Sequence, residues 1–155
     1  MDKPNIKVIP PLVYAGFFVL GWGMEQVAPA VEDMGSYWPQ VKDRIGYLLM
    51  ALSAILMIPS MLAFRRVGTP FDVRKAASSL VTSGPYRVTR NPGYMALTAL
   101  HMGLAIKFSL NWPLAMVVLA ILVMDRYVIP QEEEHLEQVF GDEYRAYKAK
   151  VRRWI

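Results

Sequence analysis

Two stretches hold most of the residues whose chemistry goes beyond packing. The first is GPYRVTRNPGYM, residues 84–95. Asn91 stands directly before Pro92. Asparagine is favoured at a helix N-cap and proline at the first helical position, so the pair predicts a helix start. The free N–H groups and the dipole of such a start favour an anion. Arg87 and Arg90 place positive charge beside it. A ligand carboxylate or phosphate would be held well there. The plainer reading is that the arginines flank a membrane span and the proline only starts its helix.

The second stretch is PQEEEHLEQVFGDEYRAYKAKVRRWI, residues 130–155. Glu132, Glu133, Glu134 and Glu137 fall within two helical turns. A carboxylate set against the arginines of the first stretch gains a partner, and Glu132 and Glu133 are the candidates for that. Glu134 and Glu137 are read as facing water, where glutamate near a helix start favours the dipole. After Gly141, the residues Tyr144, Tyr147, Val151 and Trp154 recur near helical spacing opposite a basic face. That pattern predicts a helix lying along the membrane surface.

Other chemistries find little support. The chain has no cysteine, which removes thiolate metal sites and cysteine nucleophiles. No grouping of His, Asp and Glu has metal-ligand spacing, and Glu134-His135 alone is no zinc motif. There is no glycine-rich phosphate loop and no arguable Ser/His/Asp set. His101 falls inside an apolar segment and reads either as a functional flag or as a histidine bonded between helices. The methionines are read as soft packing within the apolar segments.

These residues need elements to hold them. Of the 155 residues, 54% are hydrophobic and 19% charged, and the charged share is below the roughly 25% of a soluble domain. The apolar residues come in blocks, and about 20 of them span a bilayer. Four spans are expected, at 8–30, 45–64, 93–110 and 112–129, the last two forming an antiparallel hairpin. The first begins like a secretory signal, with Lys3, Lys7 and Ala28-Pro29-Ala30, but Pro10-Pro11 and Glu25-Gln26 fit that poorly, so it is read as a retained span. With both termini cytoplasmic, fourteen of the 17 lysines and arginines lie inside, as the positive-inside rule requires. The net charge of +4 is then a topology signal, and no motif supports nucleic-acid binding. Residues 65–92 and 130–155 are each too short to bury a core alone. They are expected to pack together as a cytoplasmic roof over one pocket in a single domain, 1–155.

Taken together, LVTSGPYRVTRNPGY and EEEHLEQVFGDEYRAYKAKVRRWI resemble the isoprenylcysteine carboxyl methyltransferase family, which is related to phospholipid N-methyltransferases. The shared blocks are G-x-Y-x-x-x-R-(H or N)-P-x-Y and E-E-x-x-L-x-x-x-F-G-x-x-Y-x-x-Y. The resemblance covers about residues 68–155. It implies an all-α integral-membrane enzyme that uses S-adenosylmethionine. It also implies cofactor contacts at Ser79, Leu80, Val81, Tyr86, Asn91, Pro92, Gly93, Tyr94 and Glu132, and catalytic roles for Glu133 and Arg90. The family's histidine is Asn91 here, which cannot take up a proton near neutral pH. The arginine that the eukaryotic carboxyl methyltransferases carry before the glutamate pair is Val128 here. The acceptor implied is a lipid or other lipophilic molecule in the membrane, with an amine, thiol or hydroxyl favoured over a carboxyl. The setting implied is a bacterial inner membrane, and the oligomeric state stays open. Two other readings remain: a nicotinamide-dependent membrane reductase of the sterol-reductase type, and a non-enzymatic four-helix scaffold.

Overall fold

The computed structural model describes residues 8–29, 38–71 and 78–155. Most of them are helical. Helix α1 is Pro10–Val27, α2 is Pro39–Arg66, α3 is Pro92–Lys107 and α4 is Asn111–Val123; α5, Ile129–Phe140, and α6, Asp142–Lys150, follow. A 3-10 turn, Gly84–Arg87, lies between α2 and α3.

The helix starts follow the prolines. Pro10, Pro39 and Pro92 each sit at the head of their helix, where the missing N–H costs nothing and the fixed φ suits the first turn. Helix α2 ends in Arg65 and Arg66, which favour the negative end of its dipole. Helix α3 stops at Lys107, three residues short of the expected Leu110. The chain turns there through Ser109 at φ +54°, and the Leu110 N–H closes the turn on the Ala105 carbonyl at 2.8 Å.

Pro130 does not break the helix that carries the fourth apolar segment. A π-helical turn, Met124–Val128, joins α4 to α5 in one continuous run. A proline inside a helix removes one hydrogen bond and crowds the carbonyl four residues back. The wider π turn sits just ahead of Pro130 and takes up that misfit. The apolar stretch of this run ends at Ile129. Beyond it α5 carries the four glutamates and lies outside the membrane-spanning segment.

Two helices are long and apolar enough to cross a membrane: α2, and the run Asn111–Phe140 of which α4 is the apolar part. Helices α1 and α3, 18 and 16 residues long, pack alongside them. The tightest crossings are made by glycines. A Cβ on Gly103 would stand 3.0 Å from the Gly46 carbonyl oxygen, so α2 and α3 touch backbone to backbone. A Cβ on Gly21 would stand 2.6 Å from Pro113 N, which brings α1 equally close to α4.

The two ends of the bundle differ. At one end Glu25 accepts from the Trp112 N–H at 2.8 Å, which caps α4, and Lys107 pairs with Asp43 at 3.0 Å. His101, buried between α3 and α4, has Nε2 2.9 Å from the Pro113 carbonyl and lies edge-on to Phe18 and Tyr14. It is a histidine bonded between helices. At the other end the start of α1, the last turns of α2, the 3-10 turn, the start of α3 and all of α5 and α6 converge.

Helix α6 corrects the sequence reading. Its aromatic stripe does not face the membrane surface. Tyr144 is 2% exposed, and the Tyr147 hydroxyl donates to the Tyr86 carbonyl at 2.7 Å. After α6 the chain extends and docks on the residues before α3. Thr89 and Arg152 form a parallel bridge, and the Arg90 N–H donates to the Arg152 carbonyl at 2.9 Å.

Candidate functional site

The converging end encloses a cavity of about 510 Å³, within the range of small-molecule sites, roughly 300–1,000 Å³. Of the eleven residues singled out in the sequence, ten line it: Ser79, Leu80, Val81, Tyr86, Arg90, Asn91, Gly93, Tyr94, Glu132 and Glu133. Pro92 does not; it is fully buried behind the cavity wall as the first residue of α3. Arg87 is exposed and lies outside the cavity lining.

Each segment is held in place by identifiable contacts. The 78–81 strand of chain is pinned by Thr69, 5% exposed, whose hydroxyl oxygen accepts the Ser79 N–H at 2.9 Å. The 3-10 turn is fastened by Tyr147 from above and packs Tyr86 edge-on to Phe64 at 5.4 Å. Asn91 departs from expectation: it occupies the N-cap position of α3 without a side-chain cap. Its amide nitrogen instead donates to the Arg153 carbonyl at 3.0 Å, tying the C-terminal tail to the helix start.

The adjacent glutamates are used differently. Glu132 accepts a short hydrogen bond from the Tyr94 hydroxyl. Burial pushes its carboxyl up to about 8; the Tyr94 bond opposes that shift and the neighbouring Glu133 adds to it. Glu133 is 7% exposed and saturated by cations. Arg153 grips it through two nitrogens, Nε at 3.1 Å and Nη2 at 2.8 Å, and Arg90 Nη2 lies 2.9 Å from it. Glu134 is exposed, as expected, whereas Glu137 is half-buried and lies 3.5 Å from Arg145 and 3.6 Å from Lys148.

Two groups in the cavity keep unspent hydrogen-bonding capacity. The Arg90 side chain is 11% exposed, and its Nε and Nη1 are buried without a partner among the described residues. The Nε2 of His135 is likewise buried and unpartnered. An orphaned buried donor costs on the order of 1–3 kcal/mol, more when charged, so both groups are suited to a ligand. Burial also raises the phenols of Tyr86, Tyr144 and Tyr147, the last to about 12. All three therefore remain donors across the physiological range.

The remaining walls are apolar: Ile9, Pro10 and Pro11 from the start of α1, Met57 and Phe64 from α2, then Phe71 and Leu97. A Cβ on Gly93 would stand 3.2 Å from the tip of Phe71, so glycine keeps that wall open. Sequence reasoning missed His135, Tyr144, Thr69 and Arg153. The first had a signal: it follows Glu132 by three residues and therefore shares its helix face. Arg126 points outward with its side chain 74% exposed.

The cavity can thus hold an anion at Arg90 and a cation at Glu132, against aromatic and aliphatic walls. Comparison with known proteins agrees with a membrane enzyme of this kind. The family model described as phospholipid methyltransferase matches residues 41–143, about two thirds of the chain. An uncharacterized protein of Haemophilus influenzae is 56% identical over 39 residues, a match that takes in 25% of this chain and 62% of that protein's length. No solved structure matches. The match spans α2, the 3-10 turn, α3, α4, α5 and the first residues of α6, the elements that build most of the cavity, and the chain belongs to the phospholipid methyltransferase family.

Proposed function

We propose that the protein transfers a methyl group from S-adenosylmethionine to a lipophilic acceptor at the cytoplasmic face of a bacterial inner membrane. The observation that carries the proposal is Arg90, buried in the cavity wall with two unpartnered N–H groups, facing the same space as Glu132. A methionine moiety presents one carboxylate and one ammonium, and these two residues are the matching pair. Tyr86 and Tyr94 supply rings for an adenine or a sulfonium, and Ser79, Leu80, Val81, Asn91 and Gly93 complete that wall. When bound, the cofactor supplies an electrophilic methyl on a positively charged sulfur.

The chain's own task is then alignment and exclusion of water. The apolar walls at Met57, Phe64, Phe71 and Leu97 would hold the acceptor's hydrocarbon. An amine, thiol or hydroxyl acceptor must also lose a proton. Glu133 is poorly placed to take it, because both its oxygens already accept from arginine. His135 presents a free ring nitrogen to the cavity and is the better placed acceptor. Glu133 then acts by holding Arg90.

Four membrane-crossing helices, α1 to α4, form one domain in this reading, with the cavity end and both termini in the cytoplasm. Calorimetry in detergent tests the cofactor. Saturable binding of S-adenosylhomocysteine with none of NADPH supports it, and the reverse result would establish the reductase reading. Binding of neither, together with tolerance of Tyr94→Ala and Glu132→Ala, would mean a scaffold. The acceptor is identified by incubating the protein with labelled S-adenosylmethionine and a total bacterial lipid extract. Because the chain has no native cysteine, single cysteines at positions 84 and 109, probed with an impermeant maleimide, test the orientation.

A further inference from the structure

We infer that Arg153, in the C-terminal tail, is a positioning residue that sets the anion-binding geometry of the cavity. The inference rests on the cofactor reading above. Arg153 does not line the cavity; Glu133 and Arg90 do. The guanidinium of Arg153 takes both oxygens of Glu133 at 2.8 and 3.1 Å. A carboxylate so gripped is fixed in plane, and Arg90 Nη2 meets it at 2.9 Å. With Nη2 committed there, the separate N–H groups of Arg90 Nε and Nη1 are left unpartnered among the described residues.

The tail is itself anchored independently of that pair. The Arg153 carbonyl accepts from Thr89 Oγ1 and from the Asn91 amide, each at 3.0 Å. Arg153 Nη1 lies 3.2 Å from Asp125 Oδ1, and Trp154 Nε1 donates to the same oxygen at 3.0 Å. Three separate parts of the chain therefore meet at Arg153: the residues before α3, the π turn and α5. A swing of Glu133 would let Arg90 pair with it through Nη2 and a second nitrogen and so take up one of the free N–H groups. Arg153 prevents that swing.

The test compares two ligands in detergent, S-adenosylhomocysteine and 5′-methylthioadenosine, which lacks the amino acid portion. Arg153→Ala should weaken S-adenosylhomocysteine about tenfold or more, the scale of a lost charge-assisted contact. It should leave 5′-methylthioadenosine within about twofold, since that ligand does not use Arg90. A collapsed pocket would lose both ligands alike. Added guanidinium, well below denaturing concentration, should restore the first affinity, and Arg153→Lys should restore it in part because ammonium lacks the fork. Equal affinity of Arg153→Ala and the unaltered protein for S-adenosylhomocysteine overturns the inference. If the unaltered protein binds neither ligand, the cofactor reading fails, and thermal unfolding decides the positioning role. The midpoint shift of Arg90→Ala with Arg153→Ala should then differ from the sum of the single shifts by about 2 °C or more. Additive shifts overturn it.

Discussion

Replacing Glu133 by glutamine keeps the shape of the side chain and removes its charge. Three contacts to guanidinium groups, at 2.8, 2.9 and 3.1 Å, depend on that charge. Arg90 would be left buried with no counter-ion among the described residues, since Glu133 is its only ion-pair partner there. Removing one partner of a buried pair costs roughly 3–5 kcal/mol. Arg153 is softer, because its side chain is 31% exposed and keeps Asp125. The lower end, about 3 kcal/mol, is therefore expected. For a chain of this size that is a fall in unfolding midpoint of about 6–12 °C. The assay is thermal unfolding in detergent followed by tryptophan fluorescence, with Glu134→Gln as the control. Glu134 is exposed, so its substitution should stay within about 0.5 kcal/mol. If Glu133→Gln unfolds no lower than Glu134→Gln, the three contacts do not contribute as argued. If the methylation rate on the true acceptor also remains intact, Glu133 has no part in the reaction either.

Three further outcomes follow from the geometry. Because Glu132 titrates near 8 instead of 4.5, the folded chain holds a proton that the unfolded chain has released; stability should fall as pH rises through that window, and Glu132→Gln should flatten the fall in thermal unfolding. On the proposed cofactor reading the ammonium of S-adenosylhomocysteine needs Glu132 ionised, so its affinity should rise about fivefold from pH 7 to 8 with proton release on binding, measured by calorimetry in buffers of different ionisation heat. Gly103→Ala should lower the unfolding midpoint by an amount equivalent to about 1–3 kcal/mol, since its Cβ meets the Gly46 backbone at 3.0 Å; Gly16→Ala, which meets nothing within 4 Å, should instead be neutral or stabilising by about 0.5–1 kcal/mol.

The start of α3 and the charged residues Arg90, Glu132 and Glu133 were legible from local rules, whereas α2 begins at Pro39, six residues before the expected 45. Proline at a helix head is a one-residue signal, and Pro10, Pro39 and Pro92 all obey it. Pro130 does not break its helix because its cost is absorbed by a change of helical register just upstream, and register is not written in any single residue type. The fate of α6 was misread for a different reason. An amphipathic stripe states that a face is covered, not by what, and here the cover is Tyr86 and the cavity roof, not lipid. Arg153 was invisible as a site residue because its role depends on a tail bridging to Thr89, 64 residues earlier in the chain. Charge near a C-terminus reads equally well as topology, and fourteen basic residues on one side gave no reason to single out one of them.

The glutamate pair shows most plainly what pattern alone leaves open. Glu132 and Glu133 are identical side chains on consecutive residues of α5, and a helix turns about 100° between them. That rotation sends one carboxylate toward Tyr94 and the cavity and the other into two arginines. Burial raises the proton affinity of the first, while both oxygens of the second are taken by arginine. The proposed cofactor reading uses this difference in partners: an ionised Glu132 would meet the ammonium while Glu133 holds Arg90. Two equivalent carboxylates would draw Arg90 between them and leave fewer free N–H groups for a ligand carboxylate. The tail supplies the difference: by saturating Glu133 from behind, Arg153 leaves Arg90 with nitrogen to spare and Glu132 with no competing cation. The third glutamate, Glu134, turns a further step to solvent and has neither role.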